Sequence, residues 1–231
     1  MELFDAIKKR RSIRRFTAEV VPDAAIKKAL EAAVLAPNSS NIQAWNFYWV
    51  RNLGPKQKLV EFCLNQSAAR TASHLIVVIA DPGLWKRSQG PLVEWVEKAK
   101  APQPVHFYYK KLIPLTYRWG FMNSIGYIKK MITFVSGLFR PMPRGPNTLR
   151  DLQEVCIKSA ALASENFVLA ITAQGFATCM MEGFDEVRVK KLLKLPCRSR
   201  VVMVIAVGRE ADRGTWGPQF RLPIDAVVKE V

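Results

Sequence analysis

Three short stretches of this 231-residue chain carry side chains suited to holding a small charged molecule. The first is Arg10-Arg11-Ser12-Ile13-Arg14-Arg15-Phe16. A phosphate dianion needs charge-assisted donors, and the planar guanidinium fork matches its oxygens. The same run would also complement the dipole at a helix C-terminus. The second stretch, Ala36-Pro37-Asn38-Ser39-Ser40-Asn41-Ile42-Gln43-Ala44-Trp45, concentrates amides and hydroxyls that both donate and accept. It is equally the composition of a polar turn. The third is Met180-Met181-Glu182-Gly183-Phe184-Asp185, where a glycine would let a backbone N–H approach a ligand closely. That stretch also reads as an exposed turn opening a helix. No nucleophile–base pair accompanies them: His74 and His106 are the only histidines, neither has an evident partner, and His74 reads as structural. The cysteines Cys63, Cys156, Cys179 and Cys197 are widely spaced with no CxxC pair. This argues against zinc and against a disulfide framework, and for reduced thiols in a cytoplasmic protein. A GxGxxG fingerprint is absent, which disfavours a tightly held dinucleotide on a Rossmann unit.

The elements that must position these residues can be read from periodicity. Residues 2–10 form a short helix with Leu3, Phe4 and Ile7 on one face. A second helix runs from Pro22 to Leu35, stopped by Pro37. Asn46 to Val50 is a short aromatic strand, and Pro55 to Gln66 a further helix. Leu75 to Ala80 is apolar throughout and ends at Asp81-Pro82-Gly83, as a buried strand before a turn does. Leu152 to Gln174 reads as a helix buried on nearly all sides and capped by Gly175. Asp185 to Leu195 is an amphipathic helix, and Val201 to Val207 a second buried strand. Helices around a few short strands without regular βαβ alternation define an α+β fold. The N-terminus has no apolar signal-like region, and no uninterrupted apolar run approaches a membrane span.

The net charge of +16 is unevenly placed. Lys98 to Arg150 contains ten basic residues and no acidic one. A basic balance of this size suggests nucleic acid. Its confinement to one segment points instead to an insertion on an otherwise ordinary enzyme, so nucleic acid is not the expected partner.

Taken in order, the three stretches resemble the nitroreductase family. The likeness covers roughly residues 1–81 and 151–225. It implies a three-layer α+β fold, with a central mostly antiparallel sheet flanked by helices, in an intertwined homodimer with FMN at the subunit interface. By the resemblance, Arg10, Arg11, Ser12 and Arg14 grip the FMN phosphate and ribityl chain. Pro37, Asn38, Ser39, Asn41 and Gln43 approach the ring of the flavin bound mainly by the other subunit. Glu182 and Gly183 lie beside N5, to which the Gly183 N–H donates, and Met181 is a further cofactor-binding residue. Asn65 matches a ring-binding asparagine and Arg221 a second phosphate-binding arginine. The pattern departs at Asn38 (usually serine), at Ala44 (usually proline), and at Ala68 and Gln219, where lysines are common; Arg70 is a candidate replacement for the first lysine. The implied activity is ping-pong electron transfer from NADH or NADPH to a nitroaromatic, a quinone or a similar small acceptor, with the chemistry on the flavin. A flavin carrier without efficient turnover is the alternative, as is a basic module for nucleic acid or a membrane surface.

The chain is expected to be a single FMN-binding domain, residues 1–231, with a basic, aromatic-rich insertion or lid at about 84–150. Within it Phe121, Ile125, Ile128, Ile132 and Val135 recur at helical spacing around Lys129 and Lys130. Such a helix over 118–140 can lie on an anionic membrane, which would place the protein at the inner face of one. The expected arrangement is the more ordinary one, with the apolar face packed inward and the lysines in water.

Overall fold

A strand that is apolar at every position must be covered on both faces, and that requirement organises the molecule. The computed structural model describes residues 1–231. The chain forms α1 Leu3–Lys9, α2 Asp23–Val34, β1 Trp45–Val50, α3 Leu53–Phe62, α4 Ser67–Thr71 and β2 His74–Ala80. It continues through α5 Trp85–Lys98, α6 Gln103–Phe107, a π-helical stretch Tyr108–Leu112, α7 Ile113–Thr116 and α8 Ser124–Phe139. Last come α9 Leu149–Ala173, β3 Ala177–Met181, α10 Glu186–Leu192, β4 Arg200–Gly208 and α11 Ile224–Val227. The sheet order is β1-β2-β4-β3, antiparallel at every pairing.

Alternate residues of the two central strands point into two separate cores. Ile76, Val78, Ala80, Met203, Ile205 and Val207 pack with α2 and α9. Leu75, Val77, Ile79, Val204 and Ala206 pack with Leu59 of α3, Ala68 and Ala69 of α4, and Val189 of α10. The result is three layers, helices on each face of one sheet. A bulge opposite Val78 and Ile79 skips one residue of β4, so Val202 and Met203 both lean toward the first core.

Most expected elements occur within a few residues of their sequence positions. α9 begins three residues early because Thr148 and Asp151 cap each other reciprocally, with Thr148 N–H donating to Asp151 Oδ2 at 3.0 Å. At its end Gly175, at φ 85°, lets Phe176 N–H reach the Ile171 carbonyl. By length and hydropathy α9 could cross a bilayer, but ten of its residues lie buried against α2 and the sheet, as a core helix requires. The helix expected over 55–66 breaks instead at Leu64 and Asn65, both at positive φ, and restarts as α4. β3 was not expected from the sequence: Ala177–Met181 has no alternation that distinguishes it from a turn.

The insertion overturns one expectation. The apolar face of α8 does not pack inward. Its polar and small stripe does: Gly126 abuts the backbone of Asn147 and Thr148, and Lys129 Nζ donates to the Thr116 carbonyl at 2.8 Å. Thr133 accepts from Asn147 Nδ2 at 3.2 Å, and Arg144 Nη2 donates to the Gly137 carbonyl at 2.6 Å. Backbone groups of adjoining segments need hydrogen-bond partners, and these side chains supply them. The apolar stripe is left facing out.

Phe167 is fully buried between α2 and the sheet, with its ring stacked near Phe47. Replacing it with alanine is expected to lower stability by about 3–5 kcal/mol in urea unfolding, with the slope unchanged.

Candidate functional site

The basic run is positioned by the free edge of β3. Ile13 N–H donates to the Thr178 carbonyl at 2.9 Å, and Ser12 bridges Thr178 in parallel. Ile13 and Phe16 are buried, so the intervening side chains are driven outward. Arg10, Arg11, Ser12 and Arg14 line one cavity of about 220 Å³. Its opposite wall is the segment Thr215 to Arg221, folded back over the arginines. Arg11 Nη2 donates to the Gly217 carbonyl at 2.6 Å, and Arg14 stacks 4.7 Å over the Trp216 ring. Arg221 completes the lining and Gln219 places a neutral amide among the cations. Arg10 is paired with Glu165 at 3.5 Å, yet its buried Nε has no hydrogen-bond partner. Four guanidiniums converging on one cavity, with a buried donor unused, is a donor set for a polyanionic oxygen group.

β3 then leads to the third stretch. Arg14 Nη1 contacts Cys179 Sγ at 3.5 Å, and Gly183 lies four residues further along, about 13 Å at strand rise. Gly183 is exposed and its N–H donates to no group of the chain. A Cβ there would meet Gln66 Nε2 at 3.2 Å, so glycine keeps the approach open. Gln66 Nε2 donates to the Gly183 carbonyl at 2.6 Å, and Asp185 N–H to that of Phe62 at 2.8 Å. These bonds bring Asn65, exposed at φ 52°, beside the exposed Glu182 and Gly183. Met181 is different: its side chain is 2 % exposed within the second core, so only its backbone faces the turn.

The amide loop stands apart from both. Pro37, Asn38, Ser39, Asn41 and Gln43 follow α2 and lead into β1, the opposite edge of the sheet from β3. Asn38 Oδ1 accepts from Gln43 N–H at 2.8 Å, and Ser40, Asn41 and Gln43 all adopt positive φ. The side chain of Asn38 thus braces a loop that has Ala44 rather than a proline. The insertion braces it further. Arg87 Nη2 donates to the Gln43 carbonyl at 2.8 Å, and the Ser40 and Tyr108 hydroxyls hydrogen-bond. No hydrogen bond joins this loop to the basic run or to the Gly183 turn.

Ala68 is 2 % exposed in the second core, so a lysine there could not reach a ligand from this backbone without repacking. Arg70 is exposed on α4. Sequence reading missed Gln66, Arg87 and Trp216, whose roles depend on segments distant in the chain. His74 is structural: Nδ1 accepts from Trp49 Nε1 at 3.1 Å, leaving Nε2 to donate to the Val21 carbonyl at 2.8 Å. No cluster of three or more metal-ligating side chains occurs.

Comparison with known proteins identifies the family and the fold. The model of the nitroreductase family matches residues 7–209. Protein DrgA of Synechocystis is 30% identical over 213 residues, 92% of this chain and 86% of that protein. An NADH dehydrogenase of Thermus thermophilus is 24% identical, covering 95% and 91% respectively. The fold of an Exiguobacterium sibiricum protein assigned to the nitroreductases, solved in complex with FMN, superposes at a TM-score of 0.74. It is 23% identical and covers 100% of this chain and 98% of its own. The chain belongs to the nitroreductase family.

The thiols take no part in the site. Burial pushes Cys63 and Cys156 up to about 12, and raises Cys179 against the opposing pull of Arg14. Only Cys197 is exposed. A thiol reagent at mildly alkaline pH is therefore expected to modify one cysteine per folded chain and all four after denaturation.

Proposed function

We propose that the chain is an FMN-dependent oxidoreductase that passes electrons from NAD(P)H to an electron-poor acceptor, a nitroaromatic or a quinone. Reductant and acceptor would use one site in turn. The observation that carries this reading is the convergence of Arg10, Arg11, Arg14 and Arg221 on one cavity, with the buried Nε of Arg10 unpartnered. Family membership supports it, as do the FMN complex of the Exiguobacterium protein and the NADH dehydrogenase name of the Thermus relative.

The residues fit the cofactor. The arginines and Ser12 would hold the phosphate, the free Gly183 N–H would face the ring, and Asn65 and Glu182 would flank it. When bound, the flavin supplies the capacity to accept a hydride equivalent and release the electrons to a second substrate. The protein's part is to bind, orient and shield, and no acid–base pair is required of it. Neither histidine is placed for such work: His74 is held by Trp49 and Val21, and His106 lies in the insertion.

A homodimer completes the site in this reading. The amide loop lies at the sheet edge opposite the arginine cavity, so a flavin held by one chain would meet the loop of a second. An apolar groove of about 310 Å³ lined by Leu3, Ala6, Ala32, Leu169, Ala170 and Ala173 offers the contact surface, with Leu162 exposed on α9 one heptad from Leu169.

Purified protein should show a flavin band that bleaches on anaerobic addition of NADPH or NADH. A band that persists with both would indicate a carrier, and a colourless protein that fails to take up FMN would refute the reading. Arg14→Met is expected to weaken FMN binding ten- to hundredfold, the effect of losing about 1.5–3 kcal/mol of charge-assisted bonding. Gln219→Lys should tighten it. Leu162→Glu should shift the sedimenting species to monomer and release FMN, whereas retention of FMN by that monomer would remove the case for a shared site.

A further inference from the structure

We infer that α8 docks the protein on the surface of an anionic lipid bilayer. The helix is amphipathic in the reverse of the usual sense. Gly126, Lys129, Thr133, Ser136 and Gly137 make up the stripe turned toward the chain, and the hydrogen bonds of Lys129, Arg144 and Asn147 fix it there. Leu149 N–H, bonded to Asn123 Oδ1 at 2.8 Å, ties down the other end. From Met131 to Phe139 every exposed residue is apolar. Met131 is 64 % exposed, Phe134 61 %, Leu138 65 % and Phe139 84 %, and Phe121 just before the helix is 86 % exposed. This orientation is specified rather than loose, because Lys129 and Thr133 are hydrogen-bonded to adjoining segments, while Lys130 stays exposed at the edge of the apolar stripe. Contiguous apolar surface of this kind marks an interaction site.

Charge selects the occupant. The segment Lys98 to Arg150 has ten basic residues and no acidic one. The remainder carries 25 basic against 19 acidic residues, so a second copy seated on this particular stripe would set a net positive chain against the most positive segment. An anionic bilayer satisfies both features at once. The apolar side chains enter the boundary between headgroups and acyl chains, while Arg118, Lys130 and Arg140 reach lipid phosphates. A helix of 16 residues is about 24 Å long, too short to span a hydrocarbon core of about 30 Å, so it lies in the plane of the surface. A cleft of about 540 Å³ between α7 and α8, lined by Leu112, Leu115, Ile125, Ile128, Ile132 and Met142, opens beside the same stripe. It has the shape and lining to admit part of an acyl chain.

The test is co-sedimentation of the full-length protein with phosphatidylcholine vesicles, with and without phosphatidylglycerol, at low and high salt. This readout is independent of flavin and of turnover. Partition is expected with phosphatidylglycerol only, reversed by salt, and lowered at least tenfold by Val135→Asp with Leu138→Asp. Arg140→Gln and Lys130→Gln, at exposed positions that leave the apolar stripe intact, should each lower it about fivefold, the equivalent of about 1 kcal/mol per basic residue. Circular dichroism monitors folding, and these two milder variants carry the test if the double aspartate variant does not fold. Three results would overturn the inference: no partition onto phosphatidylglycerol vesicles at low salt, equal partition onto phosphatidylcholine alone, or partition unchanged in the folded variants. Dissociation of a lipid-free oligomer by the aspartate pair would also overturn it, since a second copy would then be what covers the stripe.

Discussion

The site depends on two hydrogen-bonded residues at the edge of the sheet. By pairing Ser12 and Ile13 with Thr178, β3 converts the chain after α1 from a helix end into an extended segment. Burial of the apolar side chains then does the sorting. Ile13 and Phe16 enter the second core, and Phe16 lies so close to Gly208 that a Cβ there would meet its ring at 2.6 Å. Ser12 and Arg14 are left on the other side, facing the cavity. The arginines are not merely abundant; Arg10, Arg11 and Arg14 line the same cavity. The same strand carries the chain onward to Gly183, so the anion cavity and the exposed N–H share one rigid support.

Convergent cations repel one another, and the chain tolerates the arrangement through neighbours that spread the charge. Glu165 pairs with Arg10, the Gly217 carbonyl accepts from Arg11, and the Trp216 face lies under Arg14. These partners hold the side chains near where a phosphate would need them, which lowers the reorganisation on binding. The two lysine positions differ in what their loss means. Gln219 leaves its cavity wall less positive, whereas Ala68 belongs to the hydrophobic core and lies outside the site altogether.

The parts of the fold set by local pattern were legible in the sequence. The apolar run of β2, the amphipathic α2 and the all-round apolar α9 each follow from periodicity and end signals. β3 was illegible because Ala177–Met181 is a strand by virtue of its neighbours, β4 and the basic run, and not by its own propensity. For the site, residue types indicated phosphate chemistry, but the opposite wall of the cavity, Thr215 to Arg221, is contributed by a segment some 200 residues away from the run it covers. The α8 expectation failed for a different reason. Periodicity reveals that a helix has two faces, but which one turns inward depends on what the neighbouring segments need. Here the carbonyls of Thr116 and the backbone of Asn147 and Thr148 need polar or small partners.

The seam where α2 and α9 pack is rich in small side chains: Ala25, Ala29 and Ala33 on one helix, Ala160, Ala163 and Ala170 on the other, with Ile26 and Phe167 among them. It is stitched at both ends by side-chain amides, Asn166 to the Ala32 carbonyl and Gln174 to that of Ala25. Helices that meet through alanines sit close and have little freedom to slide. One of them delivers the chain to the amide loop and the other to β3 and the Gly183 turn. The seam is therefore a spacer of fixed width between the two sheet edges. An added methyl group within it would be transmitted as a displacement of one edge relative to the other, changing the separation of the amide loop from the arginine cavity without touching either.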